Sequence, residues 1–145
     1  MVTDHGIDML SAAMYERFLE PVVERHNQIR GTKPSTQFHH CGRGPHLFPT
    51  VRKHFAITGI DALTFPLVDI EKVRRDLGED VWIMAILDNT LVNMGTEETI
   101  WQAVRDLMRA KGKGRFALQV GDMLKGTSMK NLEIVYEAVK AYGKY

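Results

Sequence analysis

Residues 81–87 read Val-Trp-Ile-Met-Ala-Ile-Leu, an unbroken run of apolar side chains. A strand with one wet face alternates apolar and polar residues. One that is apolar at every position asks for cover on both faces, as the strands of parallel sheets do. The run ends at Asp88 and Asn89 and leads to a helix-start signal, Thr96 followed by Glu97 and Glu98. The hydroxyl there caps free backbone amides, and the helix dipole favours acids in the first turn. Ile100, Val104, Leu107 and Met108 then recur at helical spacing. The stretch is therefore a strand, a polar turn and a helix.

The same unit repeats on either side. Upstream, a β-rich run at 61–65 passes through Pro66 to a helix over about 69–77, with Ile70, Val73 and Leu77 on one face and Gly78 as its C-cap. Before it, a run at 35–41 precedes a short helix over 47–55, with Arg52 and Lys53 on the wet side. Downstream, a run at 115–120 leads to Thr127 or Ser128 as a cap. The helix that follows, over about 130–142, is expected to bury Leu132, Val135, Tyr136 and Val139. The chain opens on a helix over 12–29, capped by Ser11, closed by Gly31 and kinked at Pro21.

This alternation predicts an α/β fold of about four βα units behind an N-terminal helix, with parallel strands and right-handed crossovers. Two architectures accommodate it. One is a small open doubly wound sheet. The other is half of a (β/α)8 TIM-type barrel, since a full barrel takes about 250 residues. A half barrel leaves two strand edges and an apolar inner face to be covered by a second copy or another chain.

Composition sets the class. The 145 residues suit a single domain spanning the whole chain, and 44% hydrophobic with 26% charged residues is too apolar for a disordered protein. Nineteen Lys and Arg against eighteen Asp and Glu leave a net charge of +1. That balance offers no basic excess for nucleic acid or a membrane surface. A single cysteine precludes an internal disulfide. No run approaches the roughly 18 apolar residues of a membrane span. The first twenty residues, with Asp4, Asp8, Glu16 and Glu20, hold no signal-peptide core. A soluble, cytoplasmic protein with no nucleic-acid or membrane partner is expected. The eight methionines read as core filler.

In either architecture ligands bind at the carboxyl ends of the strands. Those positions hold His39, His40, Cys41, Gly42, Arg43 and Gly44, then Thr64 and Phe65, then Asp88 and Asn89, then Gly121 and Asp122. Alternation along a strand places His39 and Cys41 on one face and His40 on the other. An imidazole and a thiolate two residues apart can both reach a Zn²⁺, with a third ligand from Asp88, Asp122 or His46. The competing reading makes Cys41 a small buried residue and the histidines local hydrogen-bonding groups. Gly42-Arg43-Gly44 before a helix suits a carboxylate or phosphate, or is a plain turn with Arg43 in solvent. Asp88 and Asn89 either orient a substrate and move a proton or cap the next turn. Arg74 and Arg75 read as a solvated helix face. Lys111-Gly112-Lys113-Gly114-Arg115 precedes a strand instead of following one, so it is a basic turn and not a phosphate loop.

The strings FHHCGRG at 38–44, VDIEKVRRDLG at 68–78 and LDNTLVNMGTEETI at 87–100 occur in that order. With the closing GTSMKNLEIVYEAVKAYGKY at 126–145, the set resembles the C-terminal half of the uroporphyrinogen decarboxylase superfamily. The opening Met9-Leu10-Ser11 and the stretch from Tyr15 to Pro21 resemble the family's S-P-E-x-F…P segment, so the resemblance runs from about Asp4 to Tyr145. It implies the last four or so strands of the barrel and favours the half barrel. It also implies one of two chemistries, decarboxylation of tetrapyrrole carboxylates or zinc-dependent methyl transfer involving a corrinoid protein. The H-x-C pattern of His39 and Cys41 matches the first two zinc ligands of the methyltransferase branch. That branch's distant cysteine would fall near Gly121, so Asp122 or water would take its place. The decarboxylases carry a G-H-G turn where this chain reads Val120-Gly121-Asp122.

The expectation is thus a methyltransferase-type member with Zn²⁺ on His39 and Cys41, Asp88 and Asp122 as catalytic candidates, and Arg43 and Asn89 as substrate contacts. Expected partners are a second copy or a separate N-terminal half-barrel chain, and a corrinoid protein. A catalytically silent assembly subunit and a tetrapyrrole decarboxylase are the alternatives.

Overall fold

The computed structural model describes residues 1–3, 6–31 and 36–143. Asp4, the expected strand start at Ser35 and the closing Lys144 and Tyr145 lie outside the described residues. Among the described residues five strands are formed: β1 (Val2–Thr3), β2 (Gln37–His39), β3 (Gly59–Phe65), β4 (Trp82–Leu87) and β5 (Phe116–Val120). Six α-helices accompany them: α1 (Ala12–Arg30), α2 (Phe48–Phe55), α3 (Ile70–Leu77), α4 (Asn89–Met94), α5 (Glu97–Ala110) and α6 (Met129–Tyr142). Two of the expected caps hold, Ser11 accepting from the Met14 amide and Thr96 from Thr99, while Ser128 stands at the start of α6 without a side-chain cap bond. Asp69, expected inside α3, caps it by accepting from the Lys72 amide. Helix α1 runs on through Pro21 and ends at Gly31.

All strand pairs are parallel, and the sheet order is β1-β2-β3-β4-β5. A doubly wound sheet would reverse at a switch point. Here each strand lies beside its predecessor, and α1 packs on α2, α2 on α3, α3 on α5 and α5 on α6. This is the winding of a half (β/α)8 barrel. Its core is the side of the sheet facing the helices, where Phe38, Ile60, Leu63, Ile83, Ala85 and Leu87 are fully buried with Val51, Val73, Leu77, Ile100, Val104 and Leu107. Each of these side chains larger than alanine contributes about 1.5–3 kcal/mol.

The apolar run at 81–87 differs from expectation in its cover. Along β4, Ile83, Ala85 and Leu87 are buried while Trp82, Met84 and Ile86 are only half-buried. Among the described residues, helices cover one face of the sheet and leave the inner face open. Strand β3 is also irregular. Its register with β4 shifts between Ile60 and Leu63, and Ala62 takes a φ of 66°. This bulge inserts one residue at the centre of the strand.

Three further expectations are corrected. Arg74 is buried, not solvated, because its guanidinium donates to the carbonyls of Lys111, Gly78, Val81 and Arg115. Only Arg75 stays at the surface, paired with Glu71. Helix α6 buries Ile134, Val135 and Ala138, and Tyr136 points to solvent, so the buried face is rotated from the expected one. Met1, Met9, Met14, Met94, Met123 and Met129 are exposed, so most methionines do not fill the core.

Candidate functional site

Strand pairing builds the site. The β2–β3 register sets His39 directly beside Asp61, both on the open inner face. His39 Nδ1 lies 2.5 Å from Asp61 Oδ1, and Gln37 Nε2 donates to Asp61 Oδ2. The other ring nitrogen, His39 Nε2, is 3.0 Å from Cys41 Sγ. Gln37, Asp61, His39 and Cys41 thus form one continuous polar chain. An ionised carboxylate only accepts hydrogen bonds, so Gln37 and His39 Nδ1 are its donors. Asp61 is 6% exposed. Burying a carboxylate is tolerable only with such partners. The bulge at Ala62 immediately follows Asp61, and bulges commonly re-aim side chains beside functional sites.

The expected alternation across the His-His-Cys run holds. Cys41 is exposed and His39 keeps its side chain 30% exposed, while His40 is fully buried on the other face. The local reading is right for His40. Its ring stacks on Phe38, meets Phe48 edge-on and accepts a hydrogen bond from the Gly44 amide at 3.2 Å. A Cβ on Gly42 would lie 2.8 Å from the same ring, so the Gly42–Gly44 turn is wrapped round His40. Cys41 is corrected from the small-buried-residue reading to an exposed thiol, because strand β2 stops at His39 and Cys41 lies beyond it.

A cavity of about 320 Å³ opens at the carboxyl ends of β3, β4 and β5, lined by Cys41, Thr64, Asp88, Asn89, Gln119, Gly121 and Asp122 among others. It unites four of the six expected site residues, Cys41, Asp88, Asn89 and Asp122, and Cys41 joins His39 to them. Arg43 is exposed and does not line it. Asp88 caps α4, its Oδ1 accepting from the amides of Thr90 and Leu91 at 2.9 and 3.2 Å. The capping reading of Asp88 is therefore correct, and the same side chain still borders the cavity. Gly121 leaves room for Asn89, since a Cβ there would strike Asn89 Oδ1. His46 does not line the cavity, and its Nε2 is 2.9 Å from the Leu10 carbonyl, where it donates. A larger apolar groove of about 810 Å³ beside α4 and α5 shares Leu67 and Asp88 with the cavity and holds neither histidine nor cysteine.

Asp61 and Gln37 escaped the sequence reading. The only available sign was an acid inside the mainly apolar 59–65 stretch, and its meaning depends on which residue the neighbouring strand sets beside it. As metal donors, imidazole and thiol on one strand end suit zinc. Typical bond lengths put nitrogen and sulfur about 3.6 Å apart in a tetrahedral site, so a modest spreading from 3.0 Å admits an ion. Among the described residues no group of three or more His, Cys, Asp or Glu is gathered for a metal. His39 and Cys41 are thus a two-donor corner.

The sequence profile of the uroporphyrinogen decarboxylase (URO-D) family matches residues 1–142. The chain belongs to the URO-D family. Among solved structures, a methyltransferase from Methanosarcina mazei matches 98% of this URO-D chain with a TM-score of 0.68 at 13% identity. The chain spans 42% of that protein's length, and at such identity the likeness is one of fold. No curated protein sequence matches this URO-D chain. Among the described residues, no helix is long and apolar enough to cross a membrane.

Proposed function

We propose that this chain carries the metal-binding end of a methyl-transfer site, as a methyltransferase-type member of the URO-D family acting with a corrinoid protein. The observation behind the reading is the convergence of His39 Nε2 and Cys41 Sγ at 3.0 Å on an open sheet face. That face lies at the strand ends beside a cavity. The methyltransferase fold of the Methanosarcina mazei neighbour agrees with it.

His39 and Cys41 would hold the zinc, with Asp122 or water completing the set. Zinc there would supply Lewis acidity that keeps a thiol deprotonated and nucleophilic. The chain's own residues do the rest. Asp61 orients the imidazole, Asp88 and Asn89 border the space for the reacting group, and the exposed Arg43, outside the cavity lining, would meet an anionic part of a substrate. The open inner face and unpaired sheet edges are covered in the working enzyme by a second copy or a separate N-terminal half-barrel chain.

The test is native mass spectrometry with metal analysis on wild type and Cys41→Ser, followed by methyl transfer from methylcobalamin to a thiol. The expected result is about one zinc per wild-type chain and none in the variant. A zinc content that Cys41→Ser leaves unchanged would sink the proposal. A metal-free wild-type protein inactive in transfer would support the silent assembly subunit.

A further inference from the structure

We infer that Asp61 is the positioning residue of this site. It keeps the proton of His39 on Nδ1 and so presents an unprotonated Nε2 to the point that Cys41 Sγ also faces. The inference deepens the reading of His39 and Cys41 as metal donors and rests on it.

The argument is one of donors and acceptors. Asp61 is buried and its two oxygens have separate partners, His39 Nδ1 on Oδ1 and Gln37 Nε2 on Oδ2. An ionised carboxylate cannot donate, so the imidazole must carry its proton on Nδ1. In the neutral ring the remaining nitrogen then has a lone pair, which is the form a metal requires. Gln37 makes the arrangement discriminating. In Asp61→Asn the amide has one acceptor, and with Gln37 Nε2 kept toward position 61 the Gln37 N–H claims it. The new NH₂ then faces His39 Nδ1, which must accept, and the ring proton moves to Nε2. The shape is kept while the donor atom is blocked. The bulge at Ala62 fixes the same choice from the backbone. Its extra residue lets Asp61 sit beside His39 while Leu63, two positions on, returns to the buried face.

The experiment compares wild type, Asp61→Asn and Gln37→Leu in three measurements. These are zinc affinity by chelator competition, thiolate-to-metal absorption with Co²⁺, and the His39 tautomer by ¹⁵N NMR of the metal-free protein. Loss of a carboxylate behind a ligating histidine typically weakens metal binding about 10–100-fold. Asp61→Asn is expected to lose affinity on that scale, keep its melting temperature and show the Nε2-protonated tautomer. Gln37→Leu keeps the Asp61–His39 bond and should keep the wild-type tautomer and an affinity close to wild type. If Asp61→Asn fails to fold, the wild-type tautomer decides, and a His39 protonated on Nε2 in the metal-free protein overturns the inference. Equal affinity of wild type and Asp61→Asn overturns it and leaves the metal reading standing. If wild type binds no metal, the metal reading fails and the tautomer decides. A shift of the proton between wild type and Asp61→Asn supports the positioning role, and the same tautomer in both refutes it.

Discussion

Replacing Arg74 with methionine tests the least anticipated part of the fold. The guanidinium sits at the end of the sheet opposite the cavity. Nε donates to Lys111 O at 2.9 Å, Nη1 to Gly78 O at 3.0 Å and Val81 O at 2.6 Å, and Nη2 to Arg115 O at 3.1 Å. One side chain thereby joins the C-terminal ends of α3 and α5 to the chain entering β4 and β5. The bonds to Lys111 and Val81 are buried, and water can replace those to the half-buried Gly78 and Arg115 carbonyls. Two charge-assisted bonds at about 1.5–3 kcal/mol each give about 3–6 kcal/mol. Against this stands the desolvation of the cation, which pushes the Arg74 pKa down and which methionine does not incur. A net destabilisation of about 2–4 kcal/mol follows, a large part of the roughly 5–15 kcal/mol of a domain. The melting temperature should fall by about 5–15 °C. Urea unfolding followed by far-UV circular dichroism reads the effect as a lower midpoint at constant slope. Arg74→Lys should fall between, because one ammonium cannot span carbonyls from four segments. A midpoint for Arg74→Met equal to wild type would refute the assignment.

Two other outcomes are open to simple measurement. Glu16, through hydrogen bonds from Lys53 and His54, and Asp80, through Arg52, are held below the ordinary carboxylate range. A carboxylate with a lowered folded pKa stabilises fully above its unfolded value, about pH 4, and that contribution is lost as pH falls through the folded value. Calorimetry from about pH 5 downward should therefore show a shallower acid limb in Glu16→Gln with Asp80→Asn, and an unchanged slope contradicts the pairing. Gly121→Ala places a methyl group against Asn89 Oδ1 and 2.9 Å from Ile86 Cγ2. It should destabilise by about 1–3 kcal/mol, and a shift under about 0.5 kcal/mol would mean that Asn89 moves aside freely.

The sequence exposed the parts of this fold that depend on neighbours in the chain. Thr96 capping α5, Gly78 closing α3 and the alternation of His39, His40 and Cys41 are local effects, and each is found where expected. Strand β1 is two residues long and α4 six, too short for any periodicity to declare itself. Arg74 was misread because its partners are backbone carbonyls, which leave no trace in residue identity. Asp61 was missed because its meaning lies in the strand register, where it stands beside His39. Tyr136 shows the limit of helical periodicity. The apolar positions of α6 allow two neighbouring faces, and packing against α5 selects the one through Ile134 and Ala138.

The polar chain from Gln37 to Asp61 closes over 24 residues and needs only two adjacent strands to meet. A loop of that length costs little entropy to close, and contacts so near in sequence form early relative to those spanning a whole sheet. The imidazole is therefore held within a single strand–helix–strand module, to which the bulge at Ala62, formed against β4, adds the turn of the chain that follows Asp61. Changes in β5 reach the cavity through Gln119 and leave the Asp61–His39 pair to its own two strands.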